Sequence, residues 1–210
     1  MIVAVDGPAA AGKGTLARRL ADHFGFAYLD TGRLYRAVGL KLVREGTDPA
    51  DAGAAAQAAQ SLRVAELDDD ELRGEAAAVA ASVVAAIPAV RAALLAFQHD
   101  FAAHPLGGAK GAVMDGRDIG TVVCPGADVK FYITASVEVR AERRLRELRG
   151  RGEDAIHARV LADMQARDAR DSHRDIAPLV AAEDAYVLDT SAMDADAVFA
   201  RAIDHVNSRR

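Results

Sequence analysis

The sequence predicts an α/β fold: a five-stranded parallel sheet with helices on both faces, a mostly helical insertion and a short lid. Three observations lead there. Short apolar runs alternate with helical patterns, four of the five runs end in a polar cluster, and the first run leads straight into a glycine-rich loop and a lysine. Apolar strands separated by helices imply a parallel sheet covered on both sides, where ligands sit beyond the carboxyl ends of the strands. At 210 residues and 51% hydrophobic composition, the chain suffices for one well-buried domain with a lobe inserted into it.

The elements follow in order. Ile2-Val3-Ala4-Val5 is the first strand, and Leu16, Ala17, Leu20, Ala21 and Phe24 recur at helical spacing after the loop. Ala27-Tyr28-Leu29 is a second strand ending in Asp30-Thr31-Gly32, and a helix runs on through about Arg44. Between about Asp48 and Pro105 the texture changes to alanine-rich segments around the acidic run Asp68-Asp69-Asp70-Glu71, read as a mostly helical insertion with a solvated turn. Ala112-Val113-Met114, Lys130-Phe131-Tyr132-Ile133 and Tyr186-Val187-Leu188 are the third, fourth and fifth strands. Polar clusters at Asp6-Gly7, Asp115-Gly116-Arg117-Asp118 and Asp189-Thr190-Ser191 fall at strand ends, a recurrence that loop polarity alone does not explain.

The loop Gly7-Pro8-Ala9-Ala10-Ala11-Gly12-Lys13-Gly14-Thr15 stands between strand and helix, the context a phosphate loop requires. Backbone N–H groups close around a polyphosphate, the helix N-terminus adds positive potential, and Lys13 neutralises charge between the β- and γ-phosphates. A nucleoside triphosphate is the implied ligand. Gly14 fills the usual hydroxyl position and the hydroxyl follows at Thr15, which makes Thr15 the candidate magnesium ligand. The alternative, a glycine turn with an unrelated lysine, leaves the order of strand, loop and helix unexplained.

Composition excludes several classes. Cys124 is the single cysteine, so there is no internal disulfide and no multi-cysteine zinc site. A net charge of −5 gives no reason to expect non-specific binding to nucleic acid or anionic membranes. The first residues lack a basic leader region and no apolar stretch approaches about 20 residues, so the expectation is a soluble cytoplasmic monomer acting on small molecules. Only four of the 26 basic residues are lysines, and the rest are arginines. Such a bias makes an average arginine a surface residue, so only those at motif positions carry an argument.

Two basic segments qualify. Val139 to Gly152 is an arginine-rich helix ending at glycines; it is either an exposed helix with Glu/Arg pairs worth a few tenths of a kcal/mol each, or a mobile lid carrying Arg140, Arg143 and Arg144 toward transferring phosphates. Arg167, Asp171 and Arg174, spaced i, i+4 and i+7 on a helix or its end, project from one face and suit a ribose or phosphate, with an ion-pair ladder as the alternative.

Gly7 to Thr15, Asp30-Thr31-Gly32 with Tyr35-Arg36, Ala85-Ala86-Ile87-Pro88 with Val90-Arg91, Asp115-Gly116-Arg117-Asp118-Ile119-Gly120-Thr121-Val122-Val123, and Arg167 through Arg174 with Ala177-Pro178-Leu179-Val180 together resemble the bacterial cytidylate kinase family over nearly the whole length. The resemblance implies a P-loop kinase fold with an inserted monophosphate-binding lobe at about 32–110 and a lid at about 146–160. It implies phosphoryl transfer from ATP to CMP or dCMP with Mg²⁺, and Lys13, Arg117 and Arg174 as catalytic residues. Arg36, Arg117 and Arg174 would hold the CMP phosphate, Ser82, Arg91 and Asp118 would read cytosine, Arg167 and Asp171 would meet the ribose, and Thr31 and Tyr35 would complete the CMP site. Thr31 stands where some relatives carry serine, and Leu62 to Arg73 is shorter than in longer family members.

Other classes make distinct demands. A GTP-dependent switch needs an Asn-Lys-x-Asp guanine motif, and no lysine here is followed two residues later by aspartate. A non-catalytic nucleotide sensor would not need the acceptor-side arginines. Within enzymes, the competing reading is a kinase for another monophosphate such as UMP or AMP.

Overall fold

The computed structural model describes residues 1–209. The chain runs β1 (Ile2–Asp6), α1 (Lys13–Phe24), β2 (Ala27–Asp30), α2 (Thr31–Arg44), α3 (Ala52–Gln60), α4 (Glu75–Val84), α5 (Pro88–Ala103), β3 (Ala112–Gly116), β4 (Val129–Thr134), α6 (Val137–Gly150), α7 (His157–His173), β5 (Tyr186–Asp189) and α8 (Ala195–Asn207). It divides into two compact units: Met1–Leu29 with the chain from Pro105 onward, and Asp30–His104.

The first unit is built on a sheet of order β2-β3-β1-β4-β5. β1 pairs in parallel with both β3 and β4, and β4 with β5. A central parallel strand is covered on both faces and must be apolar throughout, and Val3, Ala4 and Val5 are fully buried. All five expected strands form; β1, β2, β3 and β5 run on by one or two residues into the polar cluster at their ends, and β4 gains one residue at each end. β1 lies between β3 and β4, and the chain builds β2 and β3 on one side of it before crossing to β4 and β5 on the other, which puts the carboxyl end of β1 at the switch point where open α/β sheets bind ligands. Leu16 and Leu20 of α1, Val198, Ala202 and Val206 of α8, and Val113, Phe131, Ile133 and Leu188 of the sheet form one core. Ala141 and Leu148 of α6 pack with Val160 and Met164 of α7.

The second unit is all-helical. Leu34, Val38 and Leu42 on one face of α2 meet Ala55, Ala58 and Ala59 of α3, Ala81 and Val84 of α4, and Val90 and Leu94 of α5. Small residues set the spacing: a Cβ on Gly39 would stand 2.7 Å from the Ala80 Cβ and 2.9 Å from its carbonyl carbon, so α2 and α4 touch nearly backbone to backbone. Ile87 is extended, as a residue before proline should be, and Pro88 opens α5 at a position where its missing N–H costs nothing. The segment expected as a solvated acidic turn is two short 3-10 helices, Val64–Asp68 and Asp70–Arg73. Among the described residues no single helix is long and apolar enough to cross a membrane.

The Gly39 contact is directly testable. Gly39→Val must push α4 off α2, and overpacking of this kind costs about 1–3 kcal/mol. Urea unfolding should show a lower midpoint for Gly39→Val, and a smaller loss for Gly39→Ala despite the higher helix propensity of alanine.

Candidate active site

The phosphate loop is shaped by its contact with β4. Gly7 has φ of +143°, and a Cβ there would lie 1.9 Å from the Ile133 carbonyl oxygen, a position only glycine can hold. Gly12, at φ +97°, leads into α1, whose first turn has neither a side-chain cap nor an acidic residue, so its leading N–H groups face the loop and not a side-chain acceptor. Lys13 is buried at the start of α1 and its ammonium donates to the Pro8 carbonyl at 2.7 Å, which bends it back across the loop. The Thr190 hydroxyl, at the end of β5, lies 3.0 Å from the Ala11 carbonyl and 3.1 Å from that of Thr134, tying the loop to two strand ends.

Gly14 has its own explanation. A Cβ there would come within 3.3 Å of Asp115 Oδ2 and 3.6 Å of the Tyr28 hydroxyl, which donates to Asp115 Oδ1 at 3.3 Å. A buried carboxylate from the end of β3 therefore crowds the place where a side chain at position 14 would start, and would have to give by a few tenths of an ångström to admit one.

A cavity of about 380 Å³ adjoins the loop, lined by Gly12, Thr15, Arg143, Arg146 and Met193 among others. Arg143 donates to the Thr190 hydroxyl at 3.0 Å and to its carbonyl at 2.7 Å. Arg140 points elsewhere: it is buried, donates to the Ala135 carbonyl and makes a two-pronged contact with Asp168 at 3.1 and 2.7 Å, with Ala9 O at 3.4 Å. It braces the loop against α7. Arg144 pairs with Glu147 at 3.0 Å. Of the three arginines expected together on a lid, Arg143 alone lines the cavity, joined by Arg146.

Elsewhere in the first unit, Arg117 Nε donates to Asp171 Oδ2 at 3.0 Å, Arg167 Nε stands 4.0 Å from the same oxygen, and Arg174 Nη2 lies 3.7 Å from Asp118 Oδ1. Asp118 and Asp171 are each 5% exposed. Three guanidiniums against two carboxylates leave this cluster net positive, suited to a doubly charged phosphate. Burial alone would raise Asp171, but Arg117 and Arg167 outweigh it and hold the carboxyl below its ordinary value of 3.8. Arg174 is not on the helix face with Arg167 and Asp171: α7 stops at His173, and Arg174 turns extended with its Nε donating to the Ala177 carbonyl. Ala177, at φ +50°, closes that turn.

In the second unit, Arg36 Nη2 pairs with Asp30 Oδ2 at 2.6 Å. Thr31, Tyr35, Ser82 and Arg91 are all buried. The Arg91 guanidinium lies 5.7 Å from the Tyr35 ring centroid and donates to the Ala85 carbonyl at 3.4 Å. Of the cavity's lining, the sequence singles out Ala11, Gly12, Thr15 and Arg143 and places Thr190 at a strand end, whereas Arg19, Arg146 and Met193 carry no local signal.

A phosphate loop at the switch point of a five-stranded parallel sheet, with cationic side chains massed beyond the strand ends, defines a P-loop phosphotransferase. The chain belongs to the cytidylate kinase family, whose pattern it matches over residues 3–208. It is 63% identical to the cytidylate kinase of Paramagnetospirillum magneticum over 209 residues, 100% of this chain and 99% of the relative. It is 62% identical to that of Rhodospirillum rubrum, with 97% and 96% covered. Among solved structures it shares its fold with an uncharacterized protein from Eubacterium ventriosum (TM-score 0.56, 13% identity, 99% of each chain covered) and a sugar kinase from Janibacter sp. (TM-score 0.51, 16% identity, 98% and 94% covered).

The charge cluster implies a pH dependence. Because the folded-state pKa of Asp171 is depressed, its ionised form stabilises the fold above the ordinary carboxylate pKa, and that contribution disappears as pH falls through and below 3.8. Asp171→Asn should cost about 1.5–3 kcal/mol at pH 7, where it deprives two partly buried guanidiniums of their carboxylate. In denaturant unfolding the gap between wild type and variant should narrow as pH falls below 3.8; a gap independent of pH would contradict the pairing.

Proposed function

We infer that this chain transfers the γ-phosphoryl group of ATP to the phosphate of CMP, giving ADP and CDP, with dCMP as a further acceptor. The observation that carries the reading is Asp118: a buried carboxylate at the carboxyl end of β3, beside the Arg174 guanidinium and one turn from the strand that bears the phosphate loop. The attacking atom is a phosphate oxygen, already anionic near neutral pH, so no general base is required and the barrier falls through positioning and charge neutralisation. Accordingly the site offers arginines and a lysine, not a nucleophile and its base.

Lys13 and the loop N–H groups take the β- and γ-phosphates of ATP, with the nucleoside in the cavity between Gly12 and Met193. Arg117 and Arg174 neutralise the acceptor phosphate, Asp118 accepts from the exocyclic amine of cytosine, and Arg167 and Asp171 meet the ribose. In the second unit, Thr31, Tyr35, Arg36, Ser82 and Arg91 are assigned to the same substrate by the family resemblance. Magnesium suits the residues present. The Asp115 carboxylate comes within 3.3 Å of where a Cβ at position 14 would be and Thr15 follows in the chain, a hard oxygen donor set that would hold the ion directly or through water. When bound, magnesium would neutralise charge on the phosphates.

Base selectivity tests the reading. Uracil presents a carbonyl where cytosine presents an amine, turning the Asp118 contact repulsive, and sites built for one hydrogen-bond pattern reject its reverse by roughly 10² to 10⁵. A coupled assay across CMP, dCMP, UMP, AMP and GMP should place CMP above UMP in kcat/KM by at least about 10². Asp118→Ala should narrow that ratio mainly by harming CMP. Equal use of UMP and CMP by the wild type would remove the base-reading role of Asp118.

A further inference from the structure

Asp6 has no part in the chemistry above, yet it is a carboxylate 4% exposed at the last residue of β1, immediately before the phosphate loop. Both of its oxygens are committed to one turn: the Ile119 N–H donates to Oδ1 at 2.8 Å and the Gly120 N–H to Oδ2 at 2.7 Å. That turn is a single π-helical turn, Ile119–Val123, in which the Val122 and Val123 amides both donate to the Asp118 carbonyl. Its first N–H groups have no partner within the turn, and Asp6 supplies two acceptors for them. Asp118 itself, at φ −148° and ψ 25°, is the non-helical residue from which the turn springs. The direction in which Arg117 and Asp118 leave β3 is thereby set by a side chain of the neighbouring strand, where Asp6 is in register with Gly116.

We propose that Asp6 is a positioning residue for acceptor recognition: by clamping the Ile119 and Gly120 amides it aims Asp118 and Arg117, and it fastens the acceptor-reading turn to the strand that carries the donor's phosphate loop. The inference rests on the roles given above to Arg117 and Asp118. Burial, only partly offset by the two N–H bonds, raises the Asp6 pKa to about 6, so near neutral pH the carboxylate is mainly ionised and accepts both bonds. The titratable and charged groups that face it are Lys13 beyond the loop, Asp118 and Cys124 at the two ends of the turn, and Tyr132 of β4, while the Lys130 stem packs against Gly120.

Asp6→Asn keeps the size but offers one acceptor and turns an amide N–H₂ toward the second backbone N–H. Steady-state kinetics should show the KM for CMP raised about tenfold or more, with the KM for ATP within about threefold of wild type. A residue that merely stabilised the sheet would lower the melting temperature and leave the two KM values in proportion, and that result overturns the proposal. Asp118→Ala, assayed in parallel, separates the two ideas. If it leaves CMP use unchanged, the underlying site reading fails; if it impairs CMP use while Asp6→Asn does not, the proposal alone fails.

A measurement on the wild-type protein needs no variant. The Ile119 and Gly120 amide protons, followed by NMR, should titrate together with a midpoint of about 6, the value expected for Asp6. The affinity for cytidine, which carries no phosphate to ionise, should weaken as pH falls through the same step. Amides flat between pH 5 and 7.5, or a cytidine affinity indifferent to that step, would overturn it.

Discussion

The carbonyl of Ile133 lies 1.9 Å from where a Cβ on residue 7 would be, and the path of the phosphate loop depends on that approach. A phosphate loop works through backbone N–H groups, so the chain itself has to be held in a shape it would not choose. Gly7 lets the loop leave β1 tight against β4, Thr190 draws in the Ala11 carbonyl, and Arg140 braces the loop near Ala9 while its other prongs grip Asp168. Lys13 then starts α1 inside the loop, not outside it. None of these contacts exceeds about 1–3 kcal/mol net, but a preorganised set of donors spends no free energy on rearrangement when phosphate arrives.

Electrostatics within the first unit runs against the overall charge. The protein carries −5, yet Arg117, Arg167 and Arg174 outnumber Asp118 and Asp171 in their cluster. The carboxylates are what make that concentration of guanidiniums tolerable: they hold three flexible side chains in place and reduce the repulsion between them. Ionised at neutral pH, Asp171 is a scaffold for the arginines as much as a candidate ribose contact. Asp6 fills a comparable role for the turn, where a buried charge holds backbone, not side chains.

The sheet and its loop were legible because their constraints are local. Buried parallel strands must be apolar throughout, so Ile2–Val5, Ala112–Met114 and Lys130–Ile133 stood out, and the helix following the loop showed its 3.6-residue period in Leu16, Leu20 and their neighbours. What stayed hidden depends on tertiary placement. Arg140 and Arg143 are three residues apart on one basic helix, and nothing in their spacing says that Arg140 turns inward to Asp168 while Arg143 reaches Thr190. Arg174 fits the period of α7, but the helix ends one residue earlier. Gly14 stands at the usual hydroxyl position, and only the structure shows that a carboxylate from a strand about 100 residues away in sequence crowds it, 3.3 Å from where a Cβ would be.

Gly7→Ala tests the central constraint most directly, by calorimetric titration of ATP and CMP alongside a thermal melt. The added methyl cannot coexist with the Ile133 carbonyl, so the fold must loosen or the loop must move. The expected result is a lowered melting temperature with ATP affinity reduced by about a hundredfold or more, while any protein that remains folded binds CMP within a few fold of wild type. Wild-type stability together with wild-type ATP affinity in Gly7→Ala would contradict the account.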